Sequence, residues 1–402
     1  MIAKWCRRKG IDIVATGDWT HPEWFAHIKE SLVEERQGVY RLKTEIASSM
    51  TPRNDKQTEF MLVQEVSQIY KKHDRARRIH NLIFSPAIET CEKVIAMLTD
   101  RKFNLKADGR PILGIDSEEL YKRLKEIDEK IIVIPAHAWT PWYAIFGSKS
   151  GFVSIEECFG SMKPYIYAIE TGLSSNPEMN WQISGLDQVV MISNSDAHSP
   201  RNLGREANVF EFETPPTYDD FVDVLKTQDA NCFKYTIEFH PEEGKYHFDG
   251  CAACGFSCDP AQSKKLGDRC PKCKRMMTLG VHHRVEQLKD REAESVSARK
   301  IPFKSIVPLA EIIAEVYDVK STQSTKVDQE YMRLTETVAN EFSLLLDVPI
   351  DIIAQHASSP NLAIAIDRMR RGQVHATSGY DGIYGKVSLL DESTKQKQPK
   401  LL

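Results

Sequence analysis

Short apolar segments of this chain repeatedly lie next to residues of the types that serve as metal ligands. The clearest case is Val189–Ile192, which passes through a small polar turn into Asp196 and His198. A run that is apolar on both faces is typical of a buried strand in a parallel sheet. Because active sites of barrel-like α/β folds collect at the carboxyl ends of strands, we expect Asp196 and His198 to face one cavity. A carboxylate and an imidazole are ligand types of hydrolytic metal sites.

The same arrangement recurs along the first half of the chain. The further apolar segments and their neighbouring polar residues are Ile11–Ala15 with Asp18 and His21, Phe60–Gln64 with Glu65, Asn81–Phe84 with His80, Ile131–Ala136 with His137, and Tyr165–Ile169 with Glu170. A lone histidine is usually a core or surface residue, but this recurrence predicts one shared site. Its predicted metal ligands are Asp18, His21, Glu65, His80, His137, Asp196 and His198, of which Glu65, Asp196 and His198 are also the predicted catalytic residues.

A mixed histidine and carboxylate set of this size would hold two or three divalent ions, Mg²⁺, Mn²⁺ or Zn²⁺. Glutamate is well suited to bridge two of them, so Glu65 is the natural bridging candidate. Such clusters generate a hydroxide nucleophile and stabilise both the attacking and the leaving oxygens of a phosphate displacement. The residues therefore indicate a hydrolase that acts on phosphate esters.

The length and composition indicate a soluble protein of several domains. At 402 residues, with 41% hydrophobic and 27% charged residues, the chain exceeds one ordinary core. No apolar run approaches the ~18 residues of a transmembrane helix, and the N-terminus does not read as a signal peptide, which predicts a cytoplasmic location. The formal charge of −4 argues against a uniformly basic surface but does not exclude a local basic groove.

The pattern of the chain changes along its length. Residues 1–230 alternate apolar strands with helix-patterned segments, with 117–129 as a helix and 51–58 as a polar loop. Residues 231–300 have β-hairpin and knuckle character, and residues 301–390 are largely helical, with the best segments at 310–319 and 329–346. Residues 391–402 form a polar, basic tail that we expect to be disordered.

Five of the nine cysteines fall between residues 251 and 273. Cys251 and Cys254 are separated from Cys270 and Cys273 by fifteen residues, which is the spacing of a zinc ribbon whose four thiolates close one structural site. Cys258 is a nearby thiol that would compete as a ligand. The surrounding cations either contact phosphates or are simply solvated, two interpretations that the sequence leaves open; they are Lys264, Lys265, Arg269, Lys272, Lys274 and Arg275.

Several strings of the chain resemble a known family, the PHP (polymerase and histidinol phosphatase) metallohydrolases. Their order, the following zinc ribbon and the segment Gly379–Gly385 most resemble the endonuclease Q-like PHP-domain DNA repair nucleases, and the resemblance covers nearly the whole chain. The strings are Thr16–Pro22, Glu65–Ser67, Arg78–Leu82, Pro135–Trp139, Glu170–Ser175 and Ser195–Pro200.

The resemblance implies a fold, a reaction and a partner. The fold is α/β, a distorted (β/α)7 barrel that carries a four-cysteine zinc ribbon and a helical C-terminal region. The reaction is hydrolysis of the phosphodiester 5′ to a deaminated base (uracil, hypoxanthine or xanthine) or an abasic site in DNA. Reading such a base requires the nucleotide to be flipped out of the stack. Recruitment by a sliding clamp has no support in the sequence, because the tail 396–402 lacks the aromatic pair of the usual clamp-binding peptide.

Two groups of residues are candidates for substrate binding. The loop Thr171–Asn176 follows a predicted strand and offers Ser174, Ser175 and Asn176 to the edge of a flipped base, and the alternative is that the loop caps the next helix. Arg77 and Arg78, beside His80, would hold the flanking phosphate, and their alternative is a solvated run of charge.

The chain departs from the family at its start. Members begin with a strand that carries His-x-His, whereas this sequence starts at Met1–Trp5, within what should be the first helix. The resemblance then implies that the first strand and two ligands are missing, through a late start or a true truncation, and that activity is impaired. The alternatives to the nuclease are a small-molecule PHP phosphoesterase and a nonenzymatic remnant that binds nucleic acid.

Overall fold

The computed structural model describes residues 1–44, 57–107, 109–293 and 300–391. Residues 51–56 of the predicted loop at 51–58 lie outside the described residues, and so do residues 392–402 of the predicted tail. The helices are α1 (Ile2–Lys9), α2 (Pro22–Ser31), α3 (Ile88–Asp100), α4 (Ser117–Ile127), α5 (Ile155–Phe159), α6 (Pro177–Trp181), α7 (Tyr218–Thr227), α8 (Pro260–Lys265), α9 (Val281–Leu288), α10 (Leu309–Val316), α11 (Thr325–Thr337), α12 (Glu341–Leu346), α13 (Ile350–His356) and α14 (Pro360–Arg370).

The strands alternate with these helices in the first part of the chain and become short afterwards. They are β1 (Ile13–Ala15), β2 (Leu32–Arg36), β3 (Val39–Leu42), β4 (Glu59–Lys72), β5 (Arg75–Ser85), β6 (Ile112–Leu113), β7 (Ile132–Pro135), β8 (Ala168–Glu170), β9 (Val190–Ile192), β10 (Ala207–Phe210), β11 (Phe233–Glu238), β12 (Asp249–Cys251), β13 (Phe256–Cys258), β14 (Phe303–Ser305), β15 (His375–Thr377) and β16 (Lys386–Ser388).

The largest sheet is mixed rather than parallel. Its strands run in the order β2-β3-β4-β5-β7, and β1 and β6 both pair parallel to β4. The long strands β4 and β5 form an antiparallel hairpin whose turn places His73 and Asp74 in the left-handed region, at φ 52° and 57°. The expectation that a strand ends just before Glu65 is therefore wrong, because β4 continues for seven residues beyond it.

Parallel pairing is found where the sequence predicted it most clearly. β9 pairs parallel with β8, in a register that sets Glu170 opposite Ile192. The expected barrel is nevertheless not closed within the described residues, since the strands divide into the seven-stranded sheet, the sheet β10-β11-β14 and three strand pairs. The fold is mixed α/β, and the sheets still bring the ends of β1, β7 and β9 to one side.

Large apolar side chains fill the main core beneath the seven-stranded sheet. Trp19, Trp139, Tyr121 and Phe159 are all essentially inaccessible to solvent, and each such burial contributes on the order of 1.5–3 kcal/mol. The predicted helix at 117–129 is α4, which begins where the Asp116 side chain accepts a hydrogen bond from the Glu118 backbone N–H at 2.8 Å. The core therefore holds the sheet as a rigid support for the residues at its strand ends.

The ribbon segment is built on the hairpin β12–β13 and fastened to α9. Asp249 is fully buried, accepts a hydrogen bond from Gly280 N at 2.7 Å and pairs with the His283 imidazole. The predicted domain boundary at residue 230 falls just before β11, which pairs with β10 on one side and β14 on the other. Strands from all three predicted domains therefore share one sheet.

The C-terminal helices α10–α14 pack around a second apolar core. The segment 329–346, predicted as one helix, is two, because the Asn340 side chain caps α12 by accepting a hydrogen bond from Ser343 N at 2.9 Å. A buried ion pair ties this region to α1, with Lys9 Nζ 2.6 Å from Glu341, which also accepts from Tyr331 Oη at 2.7 Å. No helix among the described residues is long and apolar enough to cross a membrane.

Candidate functional site

Adjacent strands bring Glu65 and His80 to the same face of the large sheet. In the β4–β5 register Ser67 is opposite His80, and because side chains alternate along a strand, Glu65 shares the face of Ser67. His80 Nδ1 lies 2.9 Å from Glu65 Oε1. His137, which follows β7, places its Nε2 3.0 Å from His80 Nδ1 and 3.5 Å from Glu65 Oε1. The three ligand atoms converge on one point.

This convergence fits a divalent cation. The ligand atoms of Glu65, His80 and His137 all lie within 4.8 Å of one another. Without a metal ion, the facing imidazole nitrogens of His80 and His137 would have to share one proton. Burial raises the pKa of Glu65, but hydrogen bonds to His137 and His80 outweigh it and hold the pKa well below its usual range. Burial lowers the pKa of His80. An ionised carboxylate and a neutral imidazole are the forms that bind metal, which Glu65 and His80 favour. Burial lowers the pKa of His137, but its hydrogen bond to Glu65 outweighs this and raises the pKa, so a metal ion would displace that proton.

Asp18 and Asp196 face the same cavity from strained backbone positions. With His137 they have positive φ, at 45° for Asp18, 43° for Asp196 and 28° for His137. Such a conformation costs a non-glycine residue on the order of 1–3 kcal/mol, and it clusters at functional sites. The cavity, of about 1870 Å³, is lined by six of the seven predicted ligands; they are Asp18, Glu65, His80, His137, Asp196 and His198.

His21, the seventh predicted ligand, lies elsewhere. It is the residue before α2, where its backbone N–H donates to Asp18 O at 2.9 Å, and it is not among the residues that line the cavity. Its backbone shapes the turn that carries Asp18, so the prediction of His21 as a ligand has no support from its position. His198 is at the cavity mouth, with 71% of its side chain exposed.

Several residues of the site carried no signal that singled them out in the sequence. Arg110, from the loop before β6, has its Nη1 3.2 Å from Glu65 Oε1 and 3.0 Å from His80 Nδ1, and its Nη2 3.5 Å from His198 Nε2. Tyr143 packs its ring 4.7 Å from that of His80. Both come from irregular loops, in which no periodicity marks a side chain that points inward.

Glu170 holds His137 in place. One carboxylate oxygen accepts from the His137 backbone N–H at 2.7 Å and the other from Asn194 Nδ2 at 2.9 Å. Burial raises the pKa of Glu170 to about 7. The neighbouring Gly172, at φ 63°, approaches so closely that a Cβ there would lie 2.6 Å from the His137 Cβ. The sequence placed Glu170 after a strand, which was the signal that could have added it to the site.

Arg205 holds the turn that carries Asp196. Its Nε donates to Ser195 O at 2.8 Å and its Nη2 to Asp196 O at 3.2 Å. Glu311 of α10 is close enough for the charge of Arg205 to act on its pKa. Arg205, 9 positions beyond Asp196, thus fixes the strained backbone of that predicted ligand and links its turn to the C-terminal helices.

The predicted substrate-binding loop is engaged within the fold. Ser175 is fully buried and its hydroxyl donates to Thr171 O at 2.8 Å, while Asn176 caps α6 by accepting from Met179 N at 3.0 Å. Ser174 is also buried, and the loop does not line the cavity. These contacts match the alternative, in which the loop caps α6, and the binding of a base by Ser174, Ser175 and Asn176 stays a prediction.

The two adjacent arginines have different environments. Arg77 is buried, stacks at 4.0 Å over Phe152 and pairs with Glu157 at 3.0 Å, so the expectation that it holds a phosphate is wrong. Arg78 is exposed and lies 5.9 Å from the centre of the Tyr143 ring. Of the two, Arg78 is the one that can reach a substrate beside His80.

The four ribbon cysteines come together as their spacing predicts. The Sγ atoms of Cys251, Cys254, Cys270 and Cys273 lie within 4.8 Å of one another, and Cys251 Sγ is 3.8 Å from Cys273 Sγ. Four sulfurs at ~2.3 Å from a zinc ion would stand about 3.8 Å apart, so the donor set fits a tetrahedral ion. Cys258, the competing thiol, is not in the cluster.

Two solved structures resemble the whole described fold. The structure of the lesion-specific endonuclease PfuEndoQ from Pyrococcus furiosus matches with a TM-score of 0.82 and 27% identity, covering 99% of this chain and 92% of that one. A structure of endonuclease Q in complex with a 27-mer duplex bearing an abasic lesion at the active site matches with a TM-score of 0.83, at 27% identity over 99% and 93% of the two chains. The fold of this chain is therefore that of endonuclease Q, which supports its assignment to the PHP-domain family.

Two family models and two sequence relatives match parts of the chain. A PHP-associated family model matches residues 188–229, which include Asp196 and His198, and a model described as the MJ0043 C-terminal domain matches 308–373. An uncharacterised protein, MJ0043 of Methanocaldococcus jannaschii, is 31% identical over 288 residues. The match covers 69% of this chain but only 35% of the length of MJ0043. YqxK, an uncharacterised protein of Bacillus subtilis, is 27% identical over 315 residues, covering 77% of this chain and 73% of that protein.

Proposed function

We propose that the chain is a metal-dependent DNA repair endonuclease, which hydrolyses the phosphodiester 5′ to a deaminated base or an abasic site. The observation that carries this proposal is the convergence of Glu65, His80 and His137 in a cavity that Asp18 and Asp196 also line. The likeness to an endonuclease Q bound to an abasic duplex supports DNA as the substrate. Divalent metal would supply a hydroxide nucleophile and neutralise charge on the leaving oxygen.

The side chains of the site have distinct roles in this proposal. Glu65, His80 and His137 would hold the metal, with Asp18, Asp196 and His198 as further ligands from the cavity wall. Thr140 Oγ1 lies 3.1 Å from His137 Nδ1, which orients the imidazole so that Nε2 faces the cluster. Arg110, with 28% of its side chain exposed, adds a fixed positive charge beside Glu65 that would bind a phosphate oxygen.

The cavity also suits the shape of the substrate. Its volume of about 1870 Å³ exceeds the ~300–1,000 Å³ of ordinary small-molecule pockets, so a nucleotide rotated out of a duplex could enter with its phosphates. An abasic or deaminated nucleotide is easier to extrude than a paired one, because less pairing and stacking is lost. Part of the preference for damaged DNA would then come from the extrusion of the nucleotide, before the phosphodiester is hydrolysed.

The ribbon cysteines are proposed to bind one structural zinc ion. A site closed by four thiolates has no open coordination position, so its role would be to hold the hairpin β12–β13 against the second knuckle. The cytoplasmic location and the sliding clamp stay predictions.

An incision assay with a panel of lesions tests the proposal. Duplexes that carry a single abasic site, uracil, hypoxanthine or no lesion are incubated with the chain and Mg²⁺ or Mn²⁺. We expect a cut 5′ to the lesion and none in the undamaged duplex, abolished by Asp196→Ala but kept by His73→Ala, which changes an exposed turn remote from the cavity. Release of phosphate from a monoester without DNA cleavage would favour a small-molecule phosphoesterase. Salt-sensitive DNA binding without turnover would favour a nonenzymatic remnant.

A further inference from the structure

The segment Gly379–Gly385 is a rigid loop held against the zinc ribbon. Tyr380 and Ile383 exchange backbone hydrogen bonds at 2.9 and 2.8 Å around Asp381 and Gly382, whose φ values of 45° and 89° suit a two-residue hairpin turn. The Asp381 carboxylate accepts from Ala252 N, beside Cys251, at 2.7 Å. The loop therefore has a fixed position next to the hairpin that carries the first cysteine pair.

Close packing of the backbone secures the loop further. Phe248 N donates to Gly379 O at 2.9 Å, and Gly382 N donates to Lys245 O at 3.0 Å. A Cβ on Gly250 would lie 2.3 Å from a ring carbon of Tyr380, so that strand position of the ribbon accepts only glycine. This amount of fastening is unusual for a loop whose side chains face solvent.

The loop presents large apolar side chains to solvent. Tyr384 is 69% exposed and Ile383 is 40% exposed. Lys245 Nζ lies 4.5 Å from the centre of the Tyr384 ring, which places a cation beside an accessible aromatic face. Rigidly held aromatic rings next to cations are the elements of a surface that stacks nucleic-acid bases and neutralises the backbone.

A line of aromatic rings connects this loop to the candidate metal centre. Tyr143 packs on His80, and the guanidinium of Arg78 lies 5.9 Å from the centre of the Tyr143 ring. The preceding residue, Trp142, contacts Tyr246 with ring centroids 5.4 Å apart. Tyr246 in turn reaches the loop, because its hydroxyl lies 3.9 Å from where a Gly382 Cβ would be. Ring contacts thus lead from His80 to Tyr143 and from Trp142 to the ribbon, and the peptide bond between Trp142 and Tyr143 joins the two sets.

We propose that this line of residues is the binding surface for the DNA strand that flanks the cleaved phosphodiester, with Tyr384 as a stacking platform for a base away from the lesion. The surface, which we call the aromatic track, comprises Arg78, Trp142, Tyr143, Lys245, Tyr246, Ile383 and Tyr384. This inference rests on the proposed function and deepens it, since it assigns a partner to a surface outside the metal centre. The track makes the ribbon part of the substrate site rather than a remote support.

Binding to duplexes of graded length tests the track. Fluorescence anisotropy with an abasic duplex, without added Mg²⁺ or Mn²⁺ so that no cleavage occurs and the ribbon keeps its zinc, gives Kd for the wild type and for Tyr384→Ala. We expect Tyr384→Ala to weaken binding roughly tenfold, about 1.4 kcal/mol, within the range for one stacked base. Tyr384→Phe should keep wild-type affinity, because the ring is retained.

The chain offers a matched control for this experiment. Tyr165 is 44% exposed and has Lys125 Nζ 5.2 Å from its ring centre, but it precedes β8 and so lies at the opposite end of that strand from Glu170. Tyr165→Ala should leave Kd unchanged. As the flanks are shortened, the wild type should lose affinity until it matches Tyr384→Ala.

The outcomes separate the track from the proposed function. Unchanged Kd for Tyr384→Ala at every flank length would overturn the track, and would leave the exposed ring to a protein partner, even if the chain cuts damaged DNA. A chain that never cuts DNA, yet binds it in a way that depends on Tyr384, would support the track and contradict the nuclease.

Discussion

At the scale of single residues, the site depends on a strained turn and on one arginine that holds it. Asp196 has a φ of 43°, and Arg205 donates to the carbonyls of Ser195 and Asp196. A planar guanidinium can satisfy two carbonyls at once, whereas an ammonium on a flexible stem cannot do so with the same geometry. Arg205 is therefore a positioning residue for Asp196.

The substitution Arg205→Lys tests this role. We expect kcat for incision to fall about 10- to 100-fold, as for loss of a hydrogen bond from a charged donor worth ~1.5–3 kcal/mol. KM for DNA should change little, and the metal concentration for half-maximal rate should rise, because Asp196 is less well placed. Arg201→Lys is the control, since Arg201 pairs with Asp328 on the surface. Equal loss in both variants, or a change in KM alone, would argue against positioning.

Individual ligands were predictable when a strand led into them. Asp18, His137 and Asp196 each follow an apolar strand, and each lines the cavity. Arg110, Tyr143 and Arg205 come from loops, where side-chain direction follows from tertiary contacts and not from a local period. His21 was predicted because it follows the same apolar segment as Asp18, but it stands just before α2 and does not line the cavity.

At the scale of elements, the ribbon segment is the unit whose stability we expect to depend on a ligand, the proposed zinc ion. The short strands β12 and β13 bury few apolar groups, and the cysteines are themselves most of the local core. Small units of this kind gain most of their folding free energy from the metal. The hairpin should therefore loosen when the ion is removed.

The substitutions Cys254→Ser and Cys258→Ser test the assignment of the ligands. Cys254→Ser should reduce bound zinc from about one ion per chain to well below one, measured by plasma mass spectrometry. Cys258→Ser should keep the zinc, because that thiol is buried outside the four-sulfur cluster. Zinc retained by Cys254→Ser, or lost from Cys258→Ser, would show that a different set of thiols holds the metal.

The elements also show where prediction from sequence fails. The apolar segments were located correctly, and β8 and β9 are parallel as predicted. The pairing of β4 with β5 was not predicted, because the tight turn at His73 and Asp74 makes them run antiparallel. A two-residue turn permits only that geometry, whereas parallel pairing needs a long crossover. The spacing of the cysteines, in contrast, was enough to predict which four of them form a cluster.

At the scale of the whole molecule, two partly buried carboxyl groups, one at the base of the ribbon and one on the C-terminal helices, interact electrostatically. Glu243 precedes the ribbon hairpin and Glu311 is on α10, and Glu243 Oε1 has no hydrogen-bond partner among the described residues. Burial, with the negative charge of Glu311, raises the pKa of Glu243 to about 8, and burial raises that of Glu311 to about 7. The folded protein therefore retains protons that the unfolded chain, with a value near 4.5, releases.

The stability that these two protonated carboxyl groups contribute should consequently fall as pH rises from about 4.5 to about 8. In that interval the folded state binds more protons than the unfolded state, so the free energy of unfolding decreases with pH. Glu243→Gln should flatten this slope and raise Tm at pH 8 above that of the wild type, measured by calorimetry across the range. Glu126→Gln, at an exposed position of α4, should not. A slope that is the same in wild type and Glu243→Gln would contradict the argument.

The central claim is that Glu65, His80 and His137 hold the metal that cuts damaged DNA, and one measurement tests it most directly. Single-turnover incision of an end-labelled abasic duplex is titrated with Mn²⁺ after EDTA treatment, for the wild type and for Glu65→Gln. The account predicts one cut 5′ to the lesion that requires Mn²⁺, and for Glu65→Gln at least a roughly tenfold higher Mn²⁺ requirement or no cut at all. Incision in EDTA, or the same Mn²⁺ dependence in both proteins, would contradict it.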